Sequence, residues 1–181
     1  KLTEAIATSG KTALLMECDL RQRTLANQLG VHARHGLYSV LAGSVSASEA
    51  IVSTHVPNMF FLDAEPNIPN PADILSSKRY AGFIKDLENE FDYVVFDAPP
   101  LGSFVDAAIL GTQVDGTLLV VKQGSTKRKA VFETLDQLNK VNAHVLGLVM
   151  NYCEGNSSDY YYAYYQQSTD SSGHVKKTRL R

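Results

Sequence analysis

An α/β fold built on a mainly parallel sheet flanked by helices follows from three observations. Four short runs, Ala13–Met16, Tyr93–Phe96, Thr117–Val121 and Val145–Met150, are almost continuously apolar, with Met59–Leu62 as a fifth candidate. Runs of this kind suit strands covered on both faces, where alternation with polar residues is lost. Segments of helical period lie between them, and alternating strands and helices imply βαβ units. Two of the runs also end in carboxylates, and ligands on such sheets sit beyond the carboxyl ends of the strands.

In chain order, Leu2–Ser9 reads as a helix closed by Gly10, and the strand Ala13–Met16 follows at once. Short helical pieces are expected over Arg23–Leu29, Tyr38–Ala42, Ala47–Val52 and Val105–Leu110. Tyr80, Phe83, Ile84, Leu87 and Phe91 recur at helical spacing, as do Val131, Leu135 and Leu138 in a segment opened by Ser125-Thr126. The stretch Glu65-Pro66-Asn67-Ile68-Pro69-Asn70-Pro71 is no regular element, because its prolines remove donors and restrict their neighbours. It reads as an ordered loop entering a short helix at Ala72.

Composition narrows the function. The 181 residues are enough for one domain with a real core, and 44% hydrophobic and 20% charged residues are ordinary for a globular chain. A formal net charge of -2 gives no global basic field for nucleic acid. Cys18 and Cys153 are too few and too isolated for a disulfide framework or a zinc site, and read as reduced thiols. No apolar run approaches the roughly 20 residues that span a bilayer. The basic end, Lys176, Lys177, Arg179 and Arg181, reads as a solvated terminus, with an anionic surface or partner as the competing reading.

The candidate chemistry lies at two strand ends. Glu17 and Asp19 stand two apart in Met16-Glu17-Cys18-Asp19-Leu20-Arg21 and share a side of an extended chain. Asp97 follows Tyr93-Val94-Val95-Phe96 and precedes Ala98-Pro99-Pro100. Grouped carboxylates suit a hard cation such as magnesium, held partly by water and substrate phosphates, as phosphoryl transfer requires. The competing structural reading is that these acids cap helices or pair with Arg21. Gly10-Lys11-Thr12 imitates the end of a phosphate-binding loop, but such a loop follows a strand and opens a helix. Here the order is reversed.

The tyrosines form a second feature. Five of the nine fall in Tyr160-Tyr161-Tyr162-Ala163-Tyr164-Tyr165, between polar, non-periodic stretches. That context implies a mobile tail rather than core. The organisation expected is a domain over 1–153 and a tyrosine-rich, basic tail over 154–181.

Taken together, these motifs resemble the bacterial tyrosine kinase (BY-kinase) family of capsular and exopolysaccharide synthesis, relatives of the septum-site and plasmid-partition ATPases. The likeness runs from Leu2 to about Gln167. Ala13–Arg21 is similar to the family's second acidic motif and Tyr93–Pro100 to its Walker B motif. Gly36–Gly43, Asn70–Leu75 and Val105–Ala108 are similar to its intervening segments, and Val145–Asn151 to its last strand and terminal asparagine.

The resemblance implies a P-loop NTPase-like fold of the deviant Walker type that uses ATP and Mg2+. Asp19 and Asp97 would hold magnesium. Glu17 would stand where the family has an aspartate as base for the tyrosine hydroxyl, a departure by one methylene. Arg21 and Asn151 would meet the nucleotide, Asn151 near the adenine. Tyr160, Tyr161, Tyr162, Tyr164 and Tyr165 would be phosphoacceptors.

The partners implied are a membrane-bound polysaccharide co-polymerase or activator, fused or separate, further copies in a homo-oligomeric ring, and a cognate phosphotyrosine phosphatase. The location implied is the cytoplasmic face of the plasma membrane. The family's Walker A loop is expected to precede Lys1, so that this chain alone would bind ATP poorly. A partition- or septum-type ATPase switch and a non-catalytic pseudokinase module are the competing functions.

Overall fold

The apolar runs become strands, and their pairing decides where every loop emerges. A computed structural model describes residues 1–153; the tyrosine cluster Tyr160–Tyr165 and the basic end lie outside the described residues. The elements are α1 (Leu2–Thr8), β1 (Ala13–Glu17), α2 (Leu25–Leu29), α3 (Leu37–Ala42), α4 (Ala47–Ala50), β2 (Val52–Ser53) and β3 (Met59–Leu62). They continue as α5 (Pro71–Leu75), α6 (Lys78–Glu90), β4 (Tyr93–Asp97), α7 (Asp106–Gly111), β5 (Thr117–Lys122), α8 (Arg128–Lys140) and β6 (Val145–Asn151). The sheet runs in two ladders, β2-β3-β1-β4 and β5-β6, parallel throughout except for β2 against β3.

All five expected strands are present, and two expectations need correction. The helix expected to reach Val52 stops at Ala50, because Val52 and Ser53 pair with Phe61 and Phe60 instead. β-branched Val52 fits that pleated edge better than a helix interior. Burial on both faces holds for β1 and β3 but not for every run. Val120, Leu146 and Met150 keep 59%, 61% and 54% of their surface exposed.

The core lies on the helix-covered face of the first ladder. Leu14 and Met16 of β1 meet Leu37, Leu62, Leu75, Tyr80 and Leu87, all closed to solvent. The helical spacing of Tyr80, Phe83, Ile84 and Leu87 is the buried stripe of α6, whose start is capped by Ser77 accepting from the Tyr80 N–H at 3.1 Å. Each buried side chain of this size contributes about 1.5–3 kcal/mol.

Gly10 adopts φ 91° just past α1, as a helix-ending glycine should. Lys11 and Thr12 then turn to Asp92 at the amino end of β4. Asp92 Oδ2 accepts from the Thr12 N–H at 2.8 Å and from its hydroxyl at 2.9 Å, and Lys11 Nζ lies 3.6 Å from Oδ1. The apparent Gly-Lys-Thr motif is therefore a strand-entry clamp. It sits a full strand, roughly 16 Å, from the carboxyl edge.

Glu65 fastens the proline-rich loop to α3. Its Oε1 accepts from the N–H groups of Gly36 (2.8 Å) and Ser39 (2.9 Å), and its Oε2 from Tyr38 (2.7 Å). Gly36 is required here, since a Cβ would lie 2.5 Å from the Asp63 carbonyl oxygen. Burial pushes the Glu65 carboxyl up, but the donors of Ser39, Gly36 and Tyr38 outweigh it and hold it below its ordinary value. A carboxyl lowered on folding stabilises above its unfolded value, and the contribution disappears as pH falls through the folded one. Glu65→Gln should cost about 1.5 kcal/mol at neutral pH, a fall of about 3–6 °C in Tm. In thermal melts that gap should close on acidification through the carboxylate range.

Candidate active site at the carboxyl edge

β1 and β4 are neighbours in register, with Glu17 opposite Asp97. The ladder extends one step further, the Cys18 N–H donating to the Asp97 carbonyl at 2.8 Å. Sequence neighbours of two different runs thus become spatial neighbours, and Asp19 projects just beyond them.

The three acids differ in environment. Asp19 Oδ1 accepts from the N–H groups of Arg21 (3.1 Å) and Gln22 (2.9 Å), which folds the chain into a tight turn over the strand end. Asp97 lies open on the rim, and partial desolvation followed by the charge of Asp19 raises its carboxyl. Glu17 is fully buried. Its Oε2 accepts from Thr24 (2.8 Å) and Leu25 (3.0 Å), capping the start of α2. Its Oε1 has no partner among the described residues. Burial raises the Glu17 carboxyl, the Leu25 and Thr24 donors oppose it, and Asp97 adds to the rise. In this conformation Glu17 meets no outside hydroxyl, so the helix-capping reading describes one of its oxygens and leaves the other unused.

Two buried acids that the sequence did not single out as functional hold the loop after β1 in place. Asp106, fully buried at the start of α7, takes the Arg21 guanidinium on two oxygens, Nε to Oδ2 at 2.7 Å and Nη2 to Oδ1 at 3.2 Å. The guanidinium stacks on Phe104, 4.3 Å from the ring centroid. On the other side, Arg23 Nη2 pairs with buried Asp63 at 2.9 Å. Burial raises the Asp63 carboxyl against the pull of Arg23 and of the Ala64 N–H. Arg21 therefore already has a protein partner, with two of its three nitrogens engaged. The signal for Asp63 was its place directly after β3, a third acid at a strand end.

Asn151 is at the carboxyl end of β6, in the second ladder. Its Oδ1 accepts from the Tyr152 N–H at 2.8 Å, and Lys122 Nζ lies 4.6 Å from the centre of the Tyr152 ring. Glu17, Asp19 and Asp97 are thus brought together, Arg21 joins them through Asp106, and Asn151 belongs to a separate strand pair. Among the described residues no group of three or more His, Cys, Asp or Glu forms a metal site by itself. Asp19 and Asp97 supply hard oxygen donors whose mutual repulsion a cation would relieve, a partial set that fits magnesium keeping several waters.

A parallel sheet with acids at the carboxyl ends of neighbouring strands is the architecture of nucleotide-using α/β ATPases, and residues 1–146 match the family model described as an AAA domain. The tyrosine-protein kinase YwqD of Bacillus subtilis is 34% identical over 154 residues, 83% of this chain and 63% of the relative. The putative tyrosine-protein kinase CapB of Staphylococcus aureus is 30% identical, with 86% of this chain and 69% of the relative covered. Among solved structures, the VpsO kinase domain superposes with a TM-score of 0.80 at 25% identity, covering 84% of this chain and 75% of that one. The cell-division ATPase MinD of Pyrococcus furiosus follows at 0.70 and 25%, covering 86% and 65%. The chain belongs to the bacterial tyrosine-kinase family of the CpsD/CapB type. It spans a little under two thirds of the length of YwqD.

The Arg21–Asp106 pair should be visible in stability. Removing the arginine leaves a buried carboxylate unpaired, which costs about 3–5 kcal/mol in a dry interior. Arg21 is partly exposed, so about 2 kcal/mol is expected for Arg21→Ala. Urea unfolding should show less than full recovery in Arg21→Lys, which keeps the charge and loses the planar fork. Arg21→Ala combined with Asp106→Ala should cost less than the sum of the two.

Proposed function

We propose that this chain is the catalytic domain of a protein-tyrosine kinase that uses ATP and Mg2+ and phosphorylates tyrosines of its own kind, including Tyr160, Tyr161, Tyr162, Tyr164 and Tyr165. The observation that carries the reading is the convergence of Asp19 and Asp97 at the ends of paired parallel strands. Magnesium held by these two would neutralise charge on the transferred phosphoryl group. In the reaction the tyrosine oxygen bonds to the γ-phosphorus of ATP, the bridge to the β-phosphate breaks, and ADP leaves. The hydroxyl proton needs an acceptor. Glu17 Oε1, the oxygen no described group occupies, is the candidate once the Gln22–Leu25 backbone moves aside, and burial, which raises its carboxyl, favours its taking up a proton. Asn151 is proposed beside the adenine. Arg21 acts on the nucleotide chiefly by fixing the Asp19 turn, given its bond to Asp106.

Capsular or exopolysaccharide synthesis is the proposed process, with a membrane-bound co-polymerase or activator, further copies of the chain and a phosphotyrosine phosphatase as partners. No described helix is long and apolar enough to cross a membrane, so attachment to the inner face of the membrane is proposed to run through the activator. The likeness to MinD favours a second reading, an ATPase switch without protein phosphorylation.

Incubation with ATP and Mg2+ of the protein extended to the length of its relatives, followed by a phosphotyrosine blot, separates the two. The kinase reading expects labelling that drops roughly 100-fold in Asp97→Asn, the scale of losing one group that stabilises transferred charge. Replacing the five tyrosines by phenylalanine should remove most of it. ATP hydrolysis without any phosphotyrosine would establish the switch instead.

A further inference from the structure

The chain that closes over Glu17 is held at its two ends with unequal strength. At one end Arg21 gives two hydrogen bonds to Asp106, at 2.7 and 3.2 Å, and stacks on Phe104. At the other, Arg23 makes a single contact with Asp63 among the described residues, Nη2 to Oδ2 at 2.9 Å. Two-point pairing of a guanidinium is the stronger form.

Asp63 is a fixed post. Its carbonyl accepts from the Leu37 N–H at 2.8 Å and its Oδ1 from the Ala64 N–H at 2.9 Å, and it stands directly after β3, closed to solvent. Arg23 is exposed, so the arginine is the movable half.

Little else keeps this segment down. α2 has five residues, of which only Ala26 is buried, and Thr24 gives it no side-chain cap. The cap comes from Glu17, whose Oε2 accepts from the Thr24 and Leu25 N–H groups. Short, lightly packed elements open locally at small cost, well before a domain unfolds. A swing about the Arg21 end lifts Thr24 and Leu25 from Glu17 and leaves Asp19 where its own turn holds it.

We propose that Arg23 and Asp63 form a latch, two positioning residues that keep the Gln22–Leu25 backbone over Glu17, so that its carboxylate meets a substrate hydroxyl only while the latch is open. That the pair holds the cap rests on the contacts; the effect on catalysis rests on the tyrosine-kinase reading. A site competent in only a fraction of molecules works at that fraction of its full rate. Weakening the latch therefore raises cap opening and phosphoryl transfer by one common factor. A pair that merely braced the site has the opposite effect on rate.

Asp63→Asn keeps the shape and the acceptor for Ala64 and removes the charge. Arg23→Gln alone strands a buried carboxylate, so the second variant is Arg23→Gln with Asp63→Asn. Arg23→Lys retains the charge. Amide hydrogen exchange in the 181-residue chain, read by NMR at Thr24 and Leu25, should quicken about fivefold or more in the first two variants, the scale of a lost ion pair. It should quicken less in Arg23→Lys, and Leu14 and Met16 in β1 should keep their rates. Unchanged exchange at Thr24 and Leu25, or equal quickening in β1, overturns the latch. In the protein extended to the length of its relatives, with ATP and Mg2+, kcat for phosphotyrosine formation should rise by the same factor, with KM for ATP unchanged. A kcat that falls or stays level while exchange quickens overturns the control of Glu17. Absence of phosphotyrosine from the parent counts against the kinase reading, and the exchange rates still decide whether the pair holds the cap.

Discussion

The bidentate bond between Arg21 and Asp106 is the constraint on which the carboxyl edge depends. A buried carboxylate without a cation is costly, so Asp106 fixes Arg21, and Arg21 fixes the turn that carries Asp19. Arg23 and Asp63 repeat the arrangement on the other side of the same turn. One seven-residue connection is therefore staked to the end of β3 and to the start of α7, on either side of β1. Its geometry is set by elements far apart in sequence, which is how a loop comes to hold a carboxylate as firmly as a strand does.

The acids inside that frame are in electrostatic tension. Glu17, Asp19 and Asp97 gather at the carboxyl ends of the paired strands β1 and β4, and burial together with mutual repulsion raises Glu17 and Asp97. Folding tolerates this because Glu17 spends one oxygen on the orphan N–H groups opening α2. The remaining tension is the kind that a bound cation relieves, which links the cost of the site to its proposed chemistry. Lys11 and Thr12, the more obvious phosphate-binding residues by composition, are spent on Asp92 at the opposite end of the strand.

Much of the fold was legible because strand and helix periods are local. Ala13–Met16 and Tyr93–Phe96 read as strands covered on both faces; both are strands, but only the first is largely closed to solvent while the second is partly exposed. Tyr80, Phe83, Ile84 and Leu87 form the buried face of a helix as expected. The end of α4 was misjudged because the pairing of Val52 with Phe61 is a tertiary choice. The exposed apolar faces of β5 and β6 were not foreseen either, since a run of apolar residues states a preference for cover and does not supply it.

By itself, the sequence determined the order of strands and helices, the placing of Glu17, Asp19 and Asp97 just past two apolar runs, and the decoy nature of Gly10-Lys11-Thr12. These follow from periodicity and from the order of local elements. Only the tertiary structure decided that Glu17 faces Asp97 while capping α2, that Arg21 belongs to Asp106, and that Asp63 and Glu65 bind the loops around the site. Those partners lie between 7 and 85 residues apart, and a hydrogen bond depends on distance in space, which the parallel register of β1 with β3 and β4 sets.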